Sequence, residues 1–145
     1  MSKTVNTKEY LSLTLSLLHE GHSNVPVTVS GTSMVPFLRP GDTVYLNLPE
    51  RPYRVGDVVL FTRPGGSYVL HRIVGKKDGC FMLLGDGQIT QEPVPFSHVH
   101  AVMTSARVRD RIVTPRHPRW LFYSTLWRWM IPFRPLIGKR KKKSR

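Results

Sequence analysis

The chain of 145 residues is long enough for one domain with a buried core and too short for two domains of ordinary size. Its single cysteine, Cys80, excludes a disulfide framework or a cysteine-ligated zinc site within one chain. The net charge of +13 is unevenly distributed, because residues 105–145 carry 13 basic side chains and one acidic side chain. Such a segment favours a polyanionic partner, either a membrane surface or a nucleic acid.

Residues 7–20 have the apolar spacing of a short amphipathic helix, with Leu11, Leu15 and Leu18 on one side. We expect this helix to pack on the domain, and a shallow membrane contact is the alternative. The start of the chain has no charged region followed by an apolar run, so a cleavable signal peptide is not expected. No uncharged apolar stretch of about 18 residues occurs, so a transmembrane helix is not expected.

Short strands separated by glycine and proline turns follow the helix, and this pattern predicts a mainly β fold. Pro26 indicates that the first strand is an edge strand or begins there. Lys76–Gly79 has the composition of a hairpin turn. The predicted strands are 25–30, 43–48, 55–62, 68–74, 80–84 and 99–108.

The segment Arg119–Ile137 is rich in aromatic residues but is interrupted by arginines and prolines, so it is not expected to span a bilayer. The polybasic run Lys139–Arg145 follows, and aromatic anchors beside a basic cluster are typical of attachment to an anionic membrane surface. The alternative is a helix that packs its tryptophans on the body, followed by a solvated tail. The predicted division is an N-terminal helix and lead-in (1–24), a β domain (25–113), an amphipathic aromatic helical segment (114–138) and a basic tail (139–145).

The segment Ser30–Asp42, with the sequence SGTSMVPFLRPGD, has the features of a nucleophile turn. A serine needs a nearby base to become a nucleophile, and backbone N–H groups must face the oxyanion that develops on the substrate. A strand that ends in a tight glycine turn can present both, and Gly31 stands two residues before Ser33. From the residues alone, an ordinary surface turn is the alternative.

This segment resembles the SGxSMxPxLxxGD box of the signal-peptidase and LexA-type serine peptidases (S24/S26-like). Two further boxes of that superfamily follow in the same order, as His71-Arg72-Ile73-Val74 and as Gly85-Asp86. Together they cover roughly residues 25–105, with boundaries good to a few residues. The resemblance implies a small LexA/signal-peptidase-like β fold and a serine endopeptidase activity without a cofactor.

The resemblance implies Ser33 as the nucleophile and His71 as its base, as in endoplasmic-reticulum-type signal peptidases, where many bacterial members have lysine. A histidine base needs an acid to fix its tautomer. Asp86 matches the family Gly-Asp step and is the first choice, and Glu92, near the position of a further family acid, is the alternative.

The backbone N–H groups of Ser33 and Thr32 would form the oxyanion hole by the same resemblance. A hydroxyl that signal peptidases place two residues before the nucleophile is missing, because Gly31 stands there. Asp42 and Asp57 each follow a glycine at a turn and are interpreted as structural. A zinc site built from His71, His98 and His100 is disfavoured, because no ligand spacing or second motif supports it, so no metal is expected.

The expected substrate is a precursor protein from which a leader or signal peptide is cut. The expected location is cytoplasmic, with peripheral attachment at the inner face of the membrane. A LexA-like regulator or nucleic-acid-binding protein is one alternative, although no helix-turn-helix domain precedes the β domain. A catalytically inactive member that only binds peptides is the other.

Overall fold

The computed structural model describes the backbone of residues 3–127 and the side chains of residues 9–125 and 127. The predicted aromatic segment from residue 128 onward and the whole polybasic tail lie outside the described residues. Within residues 3–127, strands predominate over helices, so the predicted mainly β fold with a short N-terminal helix is confirmed.

Within residues 3–127, the elements are α1 (Lys3–His19), β1 (Val25–Thr28), β2 (Thr43–Asn47), β3 (Val58–Thr62), β4 (Tyr68–Lys77), β5 (Cys80–Leu84), β6 (Glu92–Pro95), β7 (Val99–Val108), β8 (Arg111–Val113) and α2 (Pro118–Leu121). The eight strands of this part of the chain form one antiparallel sheet with the order β1-β2-β7-β3-β4-β5-β6, and β8 pairs with β7. Helix α1 precedes the sheet, and the short helix α2 follows it and continues as a π-helical turn at Phe122–Leu126.

One strand next to the site was not predicted from the sequence, because two of its four residues are prolines. Pro93 and Pro95 lie in β6, which pairs with β5 on one side and stands at the end of the strand order. Proline has no backbone N–H to donate to the neighbouring strand. It is tolerated only where no such hydrogen bond is needed, as on the outer side of an edge strand. β6 therefore forms despite its composition, and it places Glu92 beside β5.

The sheet buries both of its faces, so the side chains of a strand alternate between two cores. Leu60 packs in the first core, under α1 and the Ser30–Asp42 loop, whereas Phe61 packs in the second. The aromatic side chains of Trp120 and Tyr123 complete the first core and contact the ring of Phe37. The second core consists of Val59, Phe61, Ile73, Phe81, Leu83, Val94, Val99 and Val102.

Helix α1 packs its apolar side on the domain, as expected from the spacing of its leucines. Leu11, Leu15 and Leu18 are buried in the first core. The Tyr10 hydroxyl donates to the carbonyl oxygen of Pro26 at 3.1 Å, which fixes the helix against β1. Among the described residues, no helix has the length and apolar character needed to cross a membrane.

The two sides of α1 predict a contrast in stability between two leucine-to-alanine variants. Leu18 is 2% exposed and Leu13 is 58% exposed. Leu18→Ala leaves a cavity and should lower the free energy of unfolding by about 2–4 kcal/mol, whereas Leu13→Ala should change it by less than about 0.5 kcal/mol. Urea denaturation of both variants measures the difference. Equal losses would contradict the packing of α1 described above.

Candidate active site

The loop from Ser30 to Asp42 exposes Ser33 while its other half is fixed in the first core. Met34, Phe37 and Leu38 are buried, and Ser33 is partly exposed. The Asp42 carboxylate closes the loop, because it accepts from the backbone N–H of Arg39 at 2.9 Å. This contact supports the structural interpretation of Asp42, and it leaves the serine on a firmly held turn.

The Gly85–Gly87 segment lies directly against the backbone of the serine loop. The N–H of Gly87 donates to the carbonyl oxygen of Ser33 at 2.9 Å. A Cβ atom on Gly85 would overlap that same carbonyl oxygen, and one on Gly87 would overlap the carbonyl oxygen of Val35. Only glycine permits so close an approach of two backbones, so the fold joins two of the boxes seen in the sequence.

His71 lies on β4, where it pairs with Val59 of the second core. It is 1% exposed, and its ring lies 5.6 Å from the ring of Phe61. Arg72 pairs with Leu84 in the β4–β5 register. The β4–β5 pairing ends there, one residue from His71 on β4 and one residue from Gly85, which contacts Ser33. In the part of the chain that the structure describes, no hydrogen bond joins the Ser33 hydroxyl to the His71 ring.

The structure places Asp86 with Arg72 and not with His71. Both carboxylate oxygens of Asp86 accept from the Arg72 guanidinium, each at 2.8 Å. The two side chains are buried, with 1% and 0% exposure. Arg72 also donates to the carbonyl oxygen of Gly56 at 2.9 Å, and its guanidinium lies 5.2 Å from the centre of the Phe37 ring. Asp86 was the first choice from the sequence for the acid that orients His71. This geometry favours a structural role for it instead.

Glu92, the alternative acid, is the carboxylate that the structure brings next to His71. The distance from His71 Nδ1 to Glu92 Oε1 is 3.6 Å, and Nδ1 is buried without a hydrogen-bond partner among the described residues. Glu92 is held by Arg63, which donates to its two carboxylate oxygens at 2.7 and 3.2 Å. A small movement would bring the histidine N–H into hydrogen-bond range of this carboxylate.

The environment of His71 favours its neutral form. Burial lowers the pKa of His71 from 6.5 to about 4, the negative charge of Glu92 acts in the opposite direction, and Arg63 lowers the pKa further. The hydrogen bond from Arg63 lowers the pKa of Glu92, so this carboxylate stays charged beside the ring. Arg63 was not predicted from the sequence. It stands in an ordinary Arg-Pro-Gly-Gly turn, and no motif marks it.

A groove of about 140 Å³ runs from the partly exposed Ser33 between β1 and β4. These two strands are not neighbours in the sheet, so the groove separates them. Tyr68 and Leu11 also line it, and the Tyr68 hydroxyl is 3.2 Å from that of Ser12 on α1. Its apolar lining includes Val27, Val29, Val44, Leu46, Leu60 and Leu70. A groove between two strands suits an extended peptide.

The histidines considered for a zinc site do not form one within residues 3–127. His100 is hydrogen-bonded to Thr62, with 2.9 Å between Nε2 and Oγ1. Its ring lies 6.1 Å from that of Tyr68. In the same range, no group of three or more His, Cys, Asp and Glu side chains is arranged to hold a metal ion.

Two comparisons relate the chain to known proteins. A family model described as Peptidase S24-like matches residues 2–108. The signal peptidase complex catalytic subunit sec11 of Dictyostelium discoideum is 37% identical to this chain over 71 residues. That match covers 46% of this chain and 39% of the length of the relative. The residues that follow position 108 lie outside the family match.

The burial of the Arg72–Asp86 pair predicts a large difference between two arginine variants. Arg72→Met leaves the buried carboxylate of Asp86 without a partner and should lower the free energy of unfolding by about 3–5 kcal/mol. Arg51→Met removes an exposed arginine, whose pair with Asp57 has an N–O distance of 2.8 Å, and should cost less than about 1 kcal/mol. Chemical denaturation at neutral pH compares them. A loss for Arg72→Met as small as that for Arg51→Met would indicate that Asp86 is solvated.

The lowered pKa of His71 predicts a pH-dependent stability. The folded protein binds a proton at His71 only near pH 4, whereas the unfolded chain binds it below about pH 6.5. Between these two pH values the proton binds to the unfolded chain and favours unfolding. The free energy of unfolding is therefore fully retained above pH 6.5 and decreases as the pH falls toward 4. Between about pH 7 and pH 5, wild type should lose roughly 2 kcal/mol more than His71→Gln. Urea denaturation at both pH values measures this, and equal losses would contradict a neutral, buried His71.

Proposed function

Because the chain belongs to the Peptidase S24-like family, we propose that it is a serine endopeptidase in which Ser33, His71 and Glu92 form the catalytic group. The observation that carries this proposal is the junction at Gly85. The serine loop contacts this glycine, and His71 is next to Arg72, which pairs with Leu84, the residue before the glycine. The nucleophile and its base are thus held by neighbouring pieces of backbone.

In the proposed reaction, the Ser33 oxygen attacks the carbonyl carbon of a peptide bond while His71 Nε2 takes the hydroxyl proton. Nε2 has this role because Nδ1 faces Glu92. The protonated ring then gives its proton to the departing amine, and an acyl-enzyme remains. Water, deprotonated by the same nitrogen, hydrolyses the ester and restores the serine.

Glu92 would fix the tautomer of His71 and stabilise the imidazolium that forms during the reaction. Its charge is maintained by Arg63. The low pKa of His71 keeps the ring neutral at pH 7, which is the form that a base requires. As positive charge develops on the ring, attraction to Glu92 would shorten the 3.6 Å separation to a hydrogen bond.

The oxyanion that forms on the substrate would accept from the backbone N–H groups of Ser33 and Thr32, as the family resemblance implies. The turn that carries them follows Gly31, whose φ of +82° is readily adopted only by glycine. The groove beside β1 would bind the residues of the substrate that precede the cleaved bond. Its apolar lining favours small or apolar side chains there.

We propose that the substrate is a leader or signal peptide on a precursor protein. The name of the Dictyostelium relative supports this substrate class, and the chain spans 39% of the length of that protein. Attachment to the inner face of an anionic membrane through the aromatic segment Arg119–Ile137 and the polybasic run Lys139–Arg145 stays a prediction from the sequence.

Cleavage of candidate precursor peptides by four variants tests the mechanism. Ser33→Ala and His71→Gln should each lower kcat by about 10³-fold or more, and Glu92→Gln by about 10²-fold or more. Ser67→Ala changes an exposed serine in the turn before β4, and it should leave both kcat and KM unchanged. Product formation followed by mass spectrometry measures all four and locates the cut.

The pH profile of kcat/KM provides a second measurement on the same proteins. For wild type, the acid side should have its midpoint near the pKa of about 4 of His71. Wild-type activity in Ser33→Ala or His71→Gln would contradict the catalytic assignment. Peptide binding without cleavage by wild type would indicate an inactive peptide-binding member. Binding of DNA alone, with a steep salt dependence, would indicate the nucleic-acid-binding alternative.

A further inference from the structure

The segment Pro118–Trp127 lies beyond the family match, yet it contacts both loops that meet at Ser33. We propose that Arg119 and Trp127 form a clamp that positions the nucleophile, so that this C-terminal segment is part of the working peptidase. Both are positioning residues, because they act on the backbone around Ser33. The inference rests on the proposed function in one respect only, its effect on kcat.

Arg119 holds the second half of the serine loop. Its Nη2 atom donates to the carbonyl oxygens of Pro36 and Phe37, the latter at 2.9 Å. Its guanidinium also lies 5.7 Å from the centre of the Phe37 ring and 5.4 Å from that of Tyr123. Charge-assisted bonds to two successive carbonyls restrain the backbone three and four residues after the nucleophile.

Trp127 holds the other loop. Its indole N–H donates to the carbonyl oxygen of Asp86 at 2.7 Å. Asp86 lies between the two glycines that contact the serine loop, and Gly87 donates directly to the Ser33 carbonyl. A displacement of the Asp86 carbonyl would therefore be transmitted to Ser33 through a single hydrogen bond.

The two ends of the clamp are also connected through the body of the domain. The Phe37 ring is buried, with the guanidinium of Arg72 5.2 Å from its centre and that of Arg119 5.7 Å from it. Arg72 in turn holds the carboxylate of Asp86. The contacts thus form a closed path from the C-terminal segment, through both loops, and back to that segment. Such a path fixes the relative position of the two loops.

Hydrogen exchange of backbone amides tests the clamp without requiring any enzymatic activity. The variants are Trp127→Phe, which removes the indole N–H donor and keeps a smaller aromatic ring, and Arg119→Met, which removes the guanidinium. Trp127→Phe should speed exchange of the Gly87 amide roughly fivefold, and Arg119→Met should do the same for Leu38, whose N–H donates to Met34. Amides of β7 should be unaffected.

Matched controls lie in or next to the same segment. Arg116→Met removes an exposed arginine, and Leu121→Ala removes an exposed apolar side chain of α2. Neither should change exchange in the two loops. Unchanged exchange at Gly87 and Leu38 in the two clamp variants would overturn the proposal, and so would an equal rise in every strand, because that result would indicate general destabilisation.

Peptide cleavage then tests whether the clamp matters to the reaction. Trp127→Phe and Arg119→Met should lower kcat about tenfold while KM changes less than about twofold, since the groove is not contacted. The acid midpoint of kcat/KM should not move, and Arg119→Lys should recover part of the lost kcat. Faster exchange with unchanged kcat would overturn the positioning role. If wild type cleaves no peptide, the proposed function fails, and exchange alone still decides whether the clamp exists.

Discussion

Arg72 and Asp86 are both buried away from water. Each side chain can stay charged there only because the opposite charge of the other compensates for the lost hydration. A buried carboxylate without a partner costs several kcal/mol, so the two parallel bonds of 2.8 Å fix where Asp86 can lie. Because Gly85 and Gly87 flank Asp86, the pair also fixes the backbone that contacts Ser33. The position of the Ser33 backbone thus depends on a charge pair formed by residues of two other segments.

Among the described residues, two arginine–carboxylate pairs lie near the site, and they differ in burial. The pair of Asp86 with Arg72 is buried, and the two charged groups are hydrogen-bonded to each other. Glu92 and Arg63 lie nearer the surface, and one oxygen of Glu92 still faces His71 at 3.6 Å. Both carboxylates are paired with an arginine, but the partly exposed Glu92 can shift toward the ring when it becomes charged, whereas the buried Asp86 is enclosed with its partner. This difference favours Glu92 as the acid of the proposed mechanism.

The predictions from the sequence were most accurate where local chemistry decides the conformation. The leucine spacing of α1 gave its buried side, and the glycine-bounded loop around Ser33 is a turn with its apolar half in the core. They failed at β6, where Pro93 and Pro95 indicate a loop. Pairing with β5 at the edge of the sheet overrides that local preference. Missing this strand also hid the reason why Glu92 lies close to His71.

The sequence by itself determined the mainly β fold class and the glycine-bounded turn at Ser33, because these depend on residue type and on short-range spacing. His71 as the candidate base is what the family resemblance implies. The tertiary structure decided which of the two carboxylates lies beside His71. Asp86 and Glu92 are six positions apart, and no sequence spacing states that Arg72 takes the first while His71 faces the second. The same holds for Arg119 and Trp127, whose contacts with the two loops join residues 82, 83 and 41 positions apart. Contacts across such distances arise only when the sheet and its two cores have formed.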